Sequence, residues 1–160
     1  MASCSASDDG CSQFNLTAST SVLLDGGVRM PLIGLGGGLF NGDAEAAVVS
    51  SLSVGYRLVD TASNYGTEGA VGRAVRRSGL ERSEVFLVSK VVGNGGYATT
   101  VESLDKSLAE LGMEYLDLFL IHGAAAYGVD ELRSERHAYG RRETWRAMKD
   151  LQAAGRVRGE

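Results

Sequence analysis

Val85-Phe86-Leu87-Val88-Ser89-Lys90 is an apolar run that closes on an ammonium. The segments on either side repeat the device. Tyr56-Arg57-Leu58-Val59-Asp60 ends on a carboxylate, with Tyr65 in the loop beyond, and Leu116-Asp117-Leu118-Phe119-Leu120-Ile121-His122 ends on an imidazole. Runs this short and this apolar read as strands buried on both faces, as in a parallel sheet covered by helices. The strands of such a sheet all enter from one side, so their carboxyl ends gather on the face where barrel enzymes do chemistry. Asp60, Tyr65, Lys90 and His122 are therefore expected on one rim.

Outward from these runs the chain alternates. Ser21-Val22-Leu23-Leu24, Asp25-Gly26-Gly27 and Val28-Arg29-Met30 predict a hairpin whose glycines supply positive φ, ended by Pro31. A short strand, Leu32-Ile33-Gly34-Leu35, follows and runs into Gly36-Gly37-Gly38. Asp43 is expected to cap a helix over 44–54 that Gly55 stops. Thr67 is expected to cap a second, with Val71, Ala74 and Val75 on one face and Gly79 at its end. Thr99-Thr100-Val101-Glu102 reads as the capping box of a third, carrying Val101, Leu104, Leu108 and Leu111 and stopped by Gly112. Residues 123–142 read as a polar connection, and 143–154 as a last helix with Trp145, Met148 and Leu151 inside. The sum is a hairpin and four βα units, closed as a barrel or laid out as an open doubly wound sheet.

Gly93-Asn94-Gly95-Gly96-Tyr97-Ala98 matches a dinucleotide-binding fingerprint in spacing. That fingerprint belongs after the first strand, with an acid at the end of the next, whereas here two βα units precede it and the next strand ends in His122. The stretch reads better as a loop on the rim.

One hundred and sixty residues suit one domain that buries roughly 70% of its unfolded surface. A net charge of −4, with only the short pairs Arg76-Arg77 and Arg141-Arg142 as basic clusters, argues against nucleic acid. No apolar run reaches the roughly 18 residues of a membrane span. Residues 1–18 have neither the charged nor the apolar region of a secretory leader and are expected to be a disordered tail. Cys4 and Cys11 both fall in that tail, which fits a reducing, cytoplasmic setting better than a disulfide framework.

Each rim residue has a plain structural reading: Asp60 as a turn former, Tyr65 as a surface aromatic, His122 as a satisfied histidine. Lys90 resists one, because burying an unpaired ammonium is costly. Together they make chemical sense. An ammonium beside a phenol favours the phenolate, a carboxylate holds the ammonium charged and aimed, and an imidazole can orient a carbonyl oxygen or share its proton transfer. A carbonyl polarised in this way is open to attack at carbon; attack by hydride would make the site a carbonyl reductase drawing on a nicotinamide. His137 is assigned no role.

The residues resemble the aldo-keto reductases, NADPH-dependent (β/α)8-barrel enzymes that reduce aldehydes and ketones. The resemblance runs from Val28-Arg29-Met30-Pro31-Leu32-Ile33-Gly34-Leu35-Gly36 through Gly55-Tyr56-Arg57-Leu58-Val59-Asp60-Thr61-Ala62, then Asn64-Tyr65-Gly66 with Glu68 and Gly72. It continues in Val88-Ser89-Lys90, Leu111-Gly112, Tyr115-Leu116-Asp117-Leu118 and Leu120-Ile121-His122, and ends at Thr144-Trp145-Arg146-Ala147-Met148. It implies a tetrad in which Tyr65 donates the proton, Lys90 tunes it, Asp60 supports Lys90, and His122 binds and orients a small-molecule carbonyl substrate. It also implies cofactor contacts at Gly37, Gly38 and Asp60. The family usually has threonine or a similar residue where Gly37-Gly38 stands, and a bulkier continuation where Gly123-Ala124-Ala125-Ala126 follows His122.

The expected fold is thus a TIM-type (β/α)8 barrel truncated to a hairpin plus about four βα units, a partial reductase domain over 19–160. Glu160 falls where the family's fifth strand would begin, so the chain is expected to be a partial product with two open sheet edges that invite self-association. The alternative to a reductase is a catalytically inactive fragment or a non-catalytic interaction subunit.

Overall fold

Five parallel strands stand side by side in the order in which the chain makes them: Leu35–Gly36 (β3), Leu58–Asp60 (β4), Phe86–Val91 (β5), Leu116–Ile121 (β6) and Val157–Gly159 (β7). Before them comes the antiparallel hairpin of Ser21–Leu23 (β1) and Arg29–Pro31 (β2). Between them lie the helices Ala44–Ser53 (α1), Glu68–Arg77 (α2), Tyr97–Leu111 (α3) and Glu135–Ala153 (α4), with a 3₁₀ turn at Arg82–Glu84. This computed structural model describes residues 17–38, 43–123, 125 and 135–160. The tail with Cys4 and Cys11, and most of the connection expected over 123–142, lie outside the described residues.

The order decides between the two closures. A doubly wound sheet reverses its strand order at a switch point; here it never reverses, as a barrel wall requires. Four βα units are present as expected. Val157–Gly159, which the sequence reading placed beyond the chain, already pairs with β6 as the fifth strand.

Alternation along the strands separates two cores. Val59, Leu87, Val91 and Phe119 face outward and pack with Val48, Leu52, Val71, Leu104, Leu111 and Met148 of the helices. Phe86 and Val88 face the other way, meeting Val28 and, around it, Leu24, Met30, Leu58, Leu118 and Leu120. The hairpin therefore backs the inner face. Helices α2 and α3 approach so closely that a β-carbon on Gly72 would collide with the Leu111 carbonyl.

Several local expectations need correction. Helix α3 begins at Tyr97 behind Gly96, so Thr99 and Glu102 lie inside it and form no capping box. A capping box does exist, between Glu81 and Glu84 of the 3₁₀ turn. Thr67 precedes α2 but its hydroxyl does not cap it; Asp43 does cap α1, accepting from the Ala46 amide. Helix α4 starts eight residues before the expected 143, and Trp145 on it is 48% exposed while Met148 and Leu151 are buried. Within the added turns Gly140 packs against the Asn94 backbone, where a β-carbon would stand 2.5 Å from the Asn94 oxygen.

The basic pairs serve the surface. Arg77 and Arg73 bind Glu45 and hold its carboxyl below the ordinary range, and Arg76 donates to the Leu111 carbonyl. No helix among the described residues is long and apolar enough to cross a membrane.

One polar residue stitches the sheet from outside its backbone ladder. Asp117, 1% exposed, accepts from the Leu87 amide at 2.9 Å and pairs with Arg82 at 2.8 Å and Arg158 at 2.7 Å. It thus joins β5, β6 and β7. Removing a buried partner strands the groups it satisfied, so Asp117→Ala should cost about 3 kcal/mol in urea unfolding followed by circular dichroism. A loss below about 1 kcal/mol would show that water or rearranged arginines replace the carboxylate.

Candidate active site

Strand register brings the rim residues together. Asp60 stands opposite Val88, and Lys90 is two residues further along β5. Lys90 stands opposite Leu120, and His122 is two residues further along the chain. Steps of two keep every group on the same face, and each step climbs about 7 Å toward the carboxyl end. The three therefore ascend the inner rim like a stair, and Tyr65 leans in from the loop after β4.

Lys90 is the hub. Its Nζ lies 2.7 Å from Asp60 Oδ1 and 2.8 Å from Oδ2, donates to the Thr61 carbonyl at 2.9 Å, and reaches the Tyr65 hydroxyl at 3.4 Å. An ammonium has three N–H donors, and carboxylate, carbonyl and phenol match them one for one. Its side chain is 12% exposed. A desolvated cation of this kind needs such partners.

The Tyr65 hydroxyl also lies 3.3 Å from His122 Nε2, and the two rings meet edge to face with centroids 5.4 Å apart. His122 Nδ1 is buried without a protein partner. With the proton on Nε2, the imidazole and Lys90 would both donate to the phenol oxygen, leaving the phenol's own hydrogen free for an incoming oxygen. All four residues anticipated for the rim are assembled.

The first βα loop touches this group. Gly37 is buried and its polar atoms are engaged: the amide donates to Asp60 O at 2.7 Å, and the carbonyl accepts from Thr67 Oγ1 at 3.3 Å. Gly38 is exposed and lies against the phenol, where a β-carbon would come 3.2 Å from Tyr65 Cζ. Asp60, 34% exposed, keeps carboxylate surface for a second partner besides Lys90. Gly93-Asn94-Gly95-Gly96 behaves as a structural loop rather than a phosphate cradle, since buried Asn94 donates to the Gly123 carbonyl and the Gly96 amide to Thr144.

Sequence reading missed the supports. Thr61 supplies Lys90's third acceptor, Ser63 Oγ donates to Lys90 O at 3.3 Å, and Thr61 and Thr67 share a hydroxyl contact at 3.0 Å. Buried Ser89 donates to buried Glu68 at 2.7 Å. Small hydroxyls in loops carry no pattern of their own; the nearest clue was their crowding around Tyr65.

Known proteins resemble this chain in sequence and fold. The solved structures it resembles are (β/α)8 barrels, so the fold class is that of barrel oxidoreductases. The model of the Aldo/keto reductase family matches residues 32–159, and the chain belongs to that family. An aldo-keto reductase of Mycolicibacterium vanbaalenii is 44% identical over 110 residues, 68% of this chain and 39% of the relative. Morphine 6-dehydrogenase of Pseudomonas putida is 42% identical over 108 residues, 65% of this chain and 36% of that protein. The aldo/keto reductase of Brucella melitensis superposes with a TM-score of 0.75 at 38% identity, over 87% of this chain and 51% of that one. A Bombyx mori aldo-keto reductase in complex with NADP gives 0.74 at 26% identity, over 89% and 50%. The chain thus spans well under half the length of those two curated relatives.

Gly38 provides a test of the packing. Gly38→Val should fold normally, because the residue is exposed and its φ lies outside the glycine-only region. Its added carbons should push the phenol ring away, seen as lost nuclear Overhauser effects between the Tyr65 and His122 rings. Unchanged effects would mean that the loop yields instead.

Proposed function

We propose that residues 19–160 form the carbonyl-reducing part of an NADPH-dependent aldo-keto reductase, with Tyr65 as proton donor to an aldehyde or ketone oxygen. The observation that carries the reading is the Lys90 ammonium, fixed by Asp60 and Thr61 and aimed at a phenol that also meets His122.

Each residue then has a task. Lys90, with all three donors engaged, is a stationary charge that favours the phenol oxygen as its proton departs. Asp60 keeps that charge in place. His122 Nε2, on the far side of the hydroxyl, orients the substrate oxygen so that it accepts the phenol's hydrogen. The glycines bear no side chain where a flat group must come close to the phenol.

The same residues suit the reducing end of a nicotinamide cofactor. Gly38 leaves open the space that a β-carbon would fill, and Asp60 retains exposed carboxylate oxygen for a ribose hydroxyl. NADPH, when bound, supplies the hydride that the carbonyl carbon receives. The Bombyx mori relative, solved with NADP, supports that choice. The alternative is a catalytically inactive or non-catalytic member of the same family, one that binds no cofactor.

Titrating the chain with NADPH and following nicotinamide fluorescence separates the two. Saturable enhancement supports the reductase, and a flat response supports the non-catalytic reading. Where turnover is seen, Tyr65→Phe should lower kcat by a factor of about 100 to 10,000 with the fold intact. Undiminished turnover would remove Tyr65 from proton transfer.

A further inference from the structure

We propose that buried Glu68 and Ser89 act as a positioning pair that locks Tyr65 to Lys90; the proposal rests on the reductase reading for its kinetic consequence but not for its geometry. Glu68 is 5% exposed and Ser89 fully buried, and the Ser89 hydroxyl donates to Glu68 Oε1 at 2.7 Å. Neither touches the phenol–ammonium–imidazole group. Their places in the chain are informative: Glu68 comes three residues after Tyr65, and Ser89 directly precedes Lys90.

The loop that carries Tyr65 is therefore fastened to β5 at both ends. At its start, the Thr61 amide donates to Val88 O at 2.8 Å. At its finish, Glu68 receives Ser89. Between them Ser63 reaches Lys90 O. Ser89 faces out of the barrel wall and Lys90 faces in, so the pair grips the back of the strand that presents the ammonium.

A buried carboxylate is an expensive way to fill space, since an apolar pair of similar volume would avoid its desolvation. A hydrogen bond adds what apolar contact lacks, a fixed length and direction. That precision is useful here because the Lys90–Tyr65 and Tyr65–His122 contacts, at 3.4 and 3.3 Å, are already near the limit of hydrogen bonding. A few tenths of an ångström of slack in the loop would break both.

The test uses the full chain with 13C-labelled tyrosine, the Tyr65 Cζ resonance being assigned by its loss in Tyr65→Phe. Ser89→Ala, a substitution the buried site can hold, should move or broaden that resonance toward its position in Lys90→Met. With carbonyl turnover, it should lower kcat between about tenfold and a hundredfold while KM changes less than about twofold, as for misplaced reacting groups. Glu68→Gln keeps an acceptor oxygen for the Ser89 hydroxyl and should leave both readouts close to the parent. A Tyr65 resonance unmoved in Ser89→Ala overturns the pair whether or not the chain is active. A moved resonance in a chain that turns over no carbonyl upholds the pair and sinks the reductase reading.

Discussion

The site is organised by one constraint: an ammonium nearly enclosed in protein must find three acceptors. Lys90 finds them in a neighbouring strand's carboxylate, in the carbonyl that follows it, and in a phenol. None of the three would be in reach if the β4–β5 register slipped by one residue, because every inward side chain would then turn outward. Register is thus a functional variable here. It is defended from inside by the hairpin, which packs on Leu58 of β4 together with Phe86 and Val88 of β5, while on the outer side Asp117 fixes β5 to β6 and β7.

What could be read from sequence follows the same physics. Strands β4, β5 and β6 were legible because burial on both faces leaves them little but apolar residues, and a charged residue at the end of such a run is conspicuous. The rim therefore came out whole. The start of α4 did not, because Glu135 to Arg142 offers only Ala138 and Tyr139 as apolar residues and contains Gly140, whose close approach to Asn94 joins segments distant in sequence. Trp145 misled for a related reason. Its spacing fits an inner stripe, yet it borders an open hollow of about 760 Å³ shared with Leu24, Met30, Leu118 and Leu120.

Capping signals failed where glycine intervened. Thr99 and Glu102 have the right separation for a box, but Gly96 at φ +88° turns the chain early enough for α3 to start at Tyr97. The box at Glu81 and Glu84 went unread because it opens only a three-residue 3₁₀ turn. The first case shows local pattern yielding to the backbone freedom of a neighbouring glycine. Glu68 and Ser89 entered only as members of the family resemblance, without a role of their own: a lone acid at a helix start looks like a favourable dipole contact, and a lone serine in a strand looks like nothing.

The contacts also divide the chemistry by location. Every hydrogen-bond partner of the Lys90 ammonium and the Tyr65 hydroxyl comes from β4, the loop between β4 and α2, β5 or His122, so this network is complete within residues 60–122. Gly37 spends its amide and carbonyl on the same frame, which leaves Gly38 and one flank of Asp60 exposed beside it. The network spans three adjacent strands, and its two contacts to the phenol oxygen, at 3.4 and 3.3 Å, are its longest. Its geometry is therefore most sensitive at the Tyr65 hydroxyl, the one member carried by a loop and not by a strand or the residue that follows one.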